Sequence, residues 1–187
     1  MLFDDKCNSV KIYVEVKSME TFECILKRRS IRHFLDKEVE DEDIKKILEA
    51  AMAAPSAINK QPWEFYVIKN KDLMAKLKST SPYFDKNSPL IIVVCGNRTG
   101  ETSKFTNDFW IQDCSAAIEN MLLTATDLGL GSLWCGVYPR YDRYTKVREI
   151  LKLDRSIIPL GIIHFGYPEK EKEPRTQYSE DKVHIIE

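Results

Sequence analysis

The sequence predicts a domain of mixed helix and sheet, α+β or α/β, and three observations carry that expectation. "VEDEDIKKILEAAMAAPS" (39–56) and the stretch 107–128 repeat apolar residues at helical spacing. "PLIIVVCG" (89–96) is a continuous apolar run of the length of a buried strand. Helical and strand-like stretches mix irregularly along the chain, as they do in those two fold classes.

Residues 1–18 differ in character from the rest of the chain. "VKIYVEV" alternates apolar and polar residues and can form a strand, but Met19 opens "METFECILKRRSIR" as a natural domain start. We expect an N-terminal extension over 1–18 and a single domain over 19–187. Thr21 is placed to cap a helix reaching about Arg29, with Phe22, Ile25 and Leu26 on one face. The next helix carries acidic residues in its first turn, where they suit the dipole. It buries Ile44, Ile47, Leu48 and Ala51 and stops at Pro55.

"WEFYVIK" (63–69) reads as a strand and "KDLMAKLK" (71–78) as a short helix. In the helix expected over 107–128, Trp110, Cys114, Ala117, Met121, Ala125 and Leu128 form one stripe. Ala116, Ile118 and Leu122 widen it, so the helix should be buried on more than one side. "GLGSLWCGVYP" (129–139) is a glycine turn leading into a strand or loop. "DRYTKVREILKL" (142–153) is a helix and "IIPLGIIHFGYP" (157–168) a strand ending at a turn. The tail from 169 to 187 is charged, then briefly apolar in "KVHIIE".

Lys and Arg number 28 against 29 Asp and Glu, a near balance that argues against nucleic acid as a partner. Phosphate recognition, if present, must be local. The five cysteines form no CxxC pair and most lie in apolar surroundings, which suits a reducing cytoplasm. No membrane span or signal peptide is legible at the N-terminus.

Two glycine-rich stretches fail as nucleotide motifs. In "GLGSLWCG" the third glycine of a dinucleotide fingerprint is replaced by Trp134, and a helix precedes it rather than a strand. In "GNRTGETSK" (96–104) the second glycine comes one residue early and no lysine follows it. His33, His164 and His184 are scattered without ligand spacing, so no metal is expected. His164, inside an apolar strand, reads as a packed or hydrogen-bonded core residue.

Four stretches remain: "ILKRRSIRHF", "AAPSAINKQPWEFYVI", "DCSAAIENMLLTATDLGLGSLWCG" and "PLGIIHFGYPEKEKEPR". In that order and at those separations they resemble the FMN-dependent nitroreductase family, from about residue 20 onward. The resemblance implies an α+β fold, a mostly antiparallel sheet flanked by helices, in an intertwined homodimer with FMN at the interface. It assigns the FMN phosphate and ribityl chain to Arg28, Arg29, Ser30 and Arg32, completed by Arg175 or Lys172. Guanidinium forks match phosphate oxygens, and a serine hydroxyl adds a neutral donor. It places Pro55, Ser56, Ala57, Asn59 and Gln61 beside the flavin, partly across the dimer interface, where an amide both donates and accepts. It gives Trp134, Cys135 and Gly136 the role of backbone donors to the ring. Cys135 counts as a backbone donor only, since no basic partner for its thiol is legible.

The implied activity is ping-pong oxidoreduction: tightly, non-covalently bound FMN takes hydride from NAD(P)H at N5 and passes it to a nitroaromatic, a quinone or a similar small-molecule acceptor. A specialised reductase of a flavin, an enone or a halogenated aromatic, or a flavin-binding sensor without turnover, fits the same motifs. The segment 96–110 is short beside longer family members. That implies an open acceptor site, with Tyr83, Phe105 and Phe109 as candidate lining residues.

Overall fold

The computed structural model describes residues 19–84, 86–99 and 108–187. The expected extension over 1–18 and Phe105 lie outside them. Helices α1 (Thr21–Lys27), α2 (Asp41–Met52), α3 (Lys71–Lys78), α4 (Phe109–Asp127) and α5 (Tyr141–Leu151) surround strands β1 (Trp63–Ile68), β2 (Leu90–Asn97), β3 (Gly131–Gly136) and β4 (Ile157–Gly166). The sheet order is β1-β2-β4-β3 and every pairing is antiparallel. This is the α+β alternative. No helix among the described residues is long and apolar enough to cross a membrane.

Both faces of the sheet are covered, which explains the unbroken apolar runs of β2 and β4. One face packs on α2 and α4 through Ile47, Ala51, Trp110, Cys114, Ala117 and Met121. The other packs on α3 and α5 through Met74, Leu77, Phe84 and Val147. The expected α4 stripe is buried from Trp110 to Ala125, and Ile118 and Leu122 are buried with it. Cys24, Cys95, Cys114 and Cys135 are buried free thiols. Burial pushes the Cys114 thiol up to about 12 and raises Cys24 and Cys95 as well.

Two helix boundaries differ from expectation. Glu20, not Thr21, occupies the N-cap of α1, and no side chain caps it, because Thr21 is already the first helical residue. The same helix stops at Lys27, not near Arg29. Arg28 has turned extended (ψ 120°), and Ser30 pairs with Ser132 of β3 in a parallel bridge. Helix α2 ends at Met52, three residues before Pro55, with Ala53 still in the helical region as its C-cap.

His164 on β4 is fully buried. Its Nδ1 lies 2.7 Å from Ser88 Oγ, and its Nε2 has no partner among the described residues. Burial, then the Lys78 and Lys86 charges, lower its pKa to about 3. The unfolded histidine titrates near 6.5. Below that pH the unfolded chain binds a proton that the folded one refuses, so stability falls as pH drops from about 6.5 toward 3. Urea unfolding at pH 7.5 and 5.0 should show a loss of about 2 kcal/mol attributable to this residue. His164→Gln should lose that part of the pH dependence; an unchanged pH dependence in the variant would clear His164 of it.

Candidate active site

The extended segment after α1 is held by Ile31, whose N–H donates to the Ser132 carbonyl at 2.9 Å and whose side chain packs on Gly131. Side chains alternate along an extended backbone. Arg29 and Ile31 therefore share one face, where both line a cavity of about 260 Å³ with Met19, Gly131 and Pro168. The Arg29 guanidinium donates to the Glu173 carbonyl. Arg28, Ser30 and Arg32 share the other face. Arg29 thus adds charge to the cluster, and Lys172 lines the same cavity.

The late segment folds back on this strand. Lys172 Nζ donates to the Ser30 carbonyl at 2.8 Å, and Arg32 reaches the same oxygen at 3.4 Å. Arg175 N–H donates to the Leu26 carbonyl at 3.2 Å. Both candidates for completing the clamp are therefore beside it. Desolvation lowers the Lys172 pKa, and so does repulsion from Arg32, Arg29 and Arg175. That crowding is relieved by an anion among them. Arg28 is partly neutralised by Glu119 of α4, at 3.6 Å.

Strand β3 supplies the third element. The Ser132 carbonyl points to the outer edge, toward Ile31, whereas Val137 N–H points inward to the Leu160 carbonyl. Because edges alternate residue by residue, Trp134 and Gly136 direct their N–H groups to the outer edge and Cys135 turns inward to β4. The Cys135 thiol donates to the Tyr83 carbonyl at 3.4 Å. Lys86, Arg32 and Arg143 all act on that thiol, so basic neighbours exist, but burial outweighs them and raises its pKa. The Trp134 ring packs into the core.

The second element stands apart from Arg28 in the same chain. Ala57 N–H donates to the buried Asp113 carboxylate at 2.9 Å, which fixes the loop to the first turns of α4. Glu119, the partner of Arg28, lies about 9 Å further along that helix. Within the loop, Gln61 N–H donates to Ser56 Oγ at 3.0 Å and Gln61 Nε2 to Asn59 Oδ1 at 3.2 Å. Ile58, Asn59 and Gln61 all have φ near +50°. For a β-branched residue such as Ile58 this is strained backbone, a state that clusters at functional loops. Pro55, Asn59 and Gln61 are exposed, and Trp63 packs against the core.

Of the candidate lining residues, Tyr83 is 67% exposed and stands beside Gly136 through Arg143. Phe109 is half exposed at the start of α4. Sequence reasoning missed Asp113, Lys86 and Arg143. Asp113 was detectable, as a carboxylate inside the apolar stripe of α4. No group of His, Cys, Asp or Glu among the described residues could hold a metal.

The family model "Nitroreductase family" matches residues 25–83 and 80–167 of this chain. A Methanothermobacter thermautotrophicus protein named "Putative NADH dehydrogenase/NAD(P)H nitroreductase" is 40% identical over 179 residues, 95% of this chain and 92% of that one. A crystal structure bearing the same name, from Parabacteroides distasonis, is 38% identical with a TM-score of 0.82, covering 88% of this chain and 96% of its own. The "FMN-dependent Nitroreductase" of Clostridium difficile is 36% identical with a TM-score of 0.79, covering 88% and 98%.

Proposed function

This chain belongs to the nitroreductase family, and on that premise we propose that it is a cytoplasmic NAD(P)H-dependent FMN oxidoreductase that reduces nitroaromatics, quinones or similar small molecules. The observation that carries this reading is the convergence of Arg32, Lys172 and Arg175 on the Ser30 strand, next to the open N–H edge of β3. Those residues fit FMN: a crowded cationic cluster suits its phosphate, and outward N–H groups suit the polar edge of its ring.

FMN, when bound, supplies the redox chemistry, accepting hydride from a reduced nicotinamide and returning it to the acceptor in separate half-reactions. The chain's own residues hold and orient it. Ser30, Arg32, Lys172 and Arg175 grip the phosphate, with Arg28 adding charge. Trp134 and Gly136 N–H groups donate where negative charge gathers on reduction. Protons come from water.

We place the complete site in a homodimer. The loop 55–61 is anchored to the first turns of α4, about 9 Å along the helix from the Arg28 contact, and its exposed amides serve the site of a second copy. Strand β1 is at the open edge of the sheet, and the tail exposes Val183, Ile185 and Ile186. The tail adds a strand to the second copy's β1.

Visible absorbance of the purified protein tests this first. Flavin bands that bleach anaerobically with NADH or NADPH and recover with a nitroaromatic are expected. Bands that never bleach would point to a flavin carrier, and no bands after FMN is supplied would remove the site altogether. Arg32→Ala is expected to weaken FMN binding by about tenfold, the worth of one charge-assisted hydrogen bond. Titration by flavin fluorescence measures it; unchanged affinity would take Arg32 out of the clamp.

A further inference from the structure

We infer that Arg143 is a specificity-determining residue of this site, recognising a carboxylate or phosphate group on the substrate that docks beside Gly136; the inference rests on the function proposed above. Arg143 NH1 donates to the Gly136 carbonyl at 3.2 Å. The guanidinium is thus tied to the residue whose N–H faces the open edge of β3. Its central carbon lies 5.4 Å from the Tyr83 ring centre and 5.6 Å from that of Phe84. Phe84 is fully buried and Tyr83 is largely exposed, so the fork is seated on one ring and bordered by the other at the surface. Such flanking holds a guanidinium in place without neutralising it.

The contrast with Arg140 is informative. Asp142 bonds that side chain at 3.1 and 3.3 Å and cancels its charge locally. Among the described residues no carboxylate lies within ion-pair distance of Arg143. It bonds a carbonyl and borders two aromatic faces, and the neighbouring Asp142 carboxylate acts on it only from beyond ion-pair distance while bonding Arg140. A guanidinium carries five donors, and the bond to Gly136 accounts for one. Arg32 acts on the Cys135 thiol alongside Arg143, so two guanidinium charges gather at this end of β3 although the chain as a whole carries a net charge of −1. A planar anionic group is the ligand that a preorganised fork recognises best. It has two sources: a carboxylate on the acceptor, or a phosphate of the nicotinamide donor.

The experiment uses the full-length protein loaded with FMN, as wild type, Arg143→Gln and Arg143→Lys. Two acceptors of equal ring chemistry are compared, 4-nitrobenzoate and the neutral 4-nitrobenzamide, with benzoate binding followed by calorimetry. The kcat/KM ratio of benzoate to benzamide acceptor should fall about tenfold in Arg143→Gln, mainly through KM, and benzoate affinity should fall in parallel. Arg143→Lys should recover part of both. A loss confined to the rate of flavin bleaching by NADH or NADPH would identify the donor phosphate as the anion recognised. Equal losses for both acceptors, with benzoate affinity and the bleaching rate unchanged, would reduce Arg143 to a support for Gly136 and overturn the inference. If the loaded protein turns over neither acceptor, the proposed activity fails, and benzoate binding by wild type against Arg143→Gln still decides the role of Arg143.

Discussion

Gly136→Val is expected to fold as stably as the parent chain and to bind FMN at least about a hundredfold more weakly, a loss of roughly 2.7 kcal/mol. A Cβ built at Gly136 meets nothing within 4 Å, and its φ is ordinary for an L residue. Valine also suits a strand position. The folded protein therefore has no reason to resist the change. The space the isopropyl group enters borders the outer edge of β3, where the Trp134 and Gly136 N–H groups face outward. A ring held off that edge loses both donors and its close contact with the backbone. Thermal unfolding of the apoprotein and FMN titration separate the two effects. Wild-type affinity in a stably folded variant would mean that the flavin ring lies elsewhere.

The opposite outcome is expected at Gly96. A Cβ there would lie 2.8 Å from Cδ2 and 3.0 Å from Cζ3 of Trp110, and nearer still to Cε3. Trp110 is fully buried in the first turn of α4 and meets Tyr138 edge-on, with ring centres 5.1 Å apart. The indole cannot swing into solvent, so α4 must shift from the sheet. Gly96→Ala should cost about 3 kcal/mol, at the upper end for overpacking a core, and lower Tm by roughly 6–12 °C. Trp110→Leu removes the obstructing ring at its own cavity cost. The double variant should then be more stable than the sum of the two single losses. Additive losses would show that the clash at Gly96 is relieved some other way.

Periodicity carried most of the elements. The α4 stripe, the α3 boundaries and the apolar β2 and β4 strands are local patterns with one reading each. Arg28 to Arg32 were different. By propensity they continue α1, but the long-range bridge from Ser30 to Ser132 pulls them into an extended path. That pairing decides which arginines share a face, and no window of local sequence contains it. The backbone of Cys135 is a related case: whether its N–H points inward or outward depends on the register of β3 against β4. Arg143 was invisible because its significance comes from Gly136 and Tyr83, seven and sixty positions away. The first and third motifs are neighbours in space, because the Arg28–Arg32 segment runs beside β3 and Ser30 bridges Ser132.

The buried cysteines bear on how long such a protein lasts. Reduced flavins pass electrons to oxygen, so a chain that cradles one works next to a source of peroxide. Peroxide attacks thiolates, and its first target is an exposed thiol of low pKa. Cys24, Cys95, Cys114 and Cys135 are all enclosed, and each is pushed toward the neutral thiol, Cys114 as far as about 12. Even at Cys135, with three cations acting on it, burial prevails and raises the pKa. The described thiols thus present almost no thiolate to an oxidant made within the same molecule, and their protection follows from the packing around the sheet.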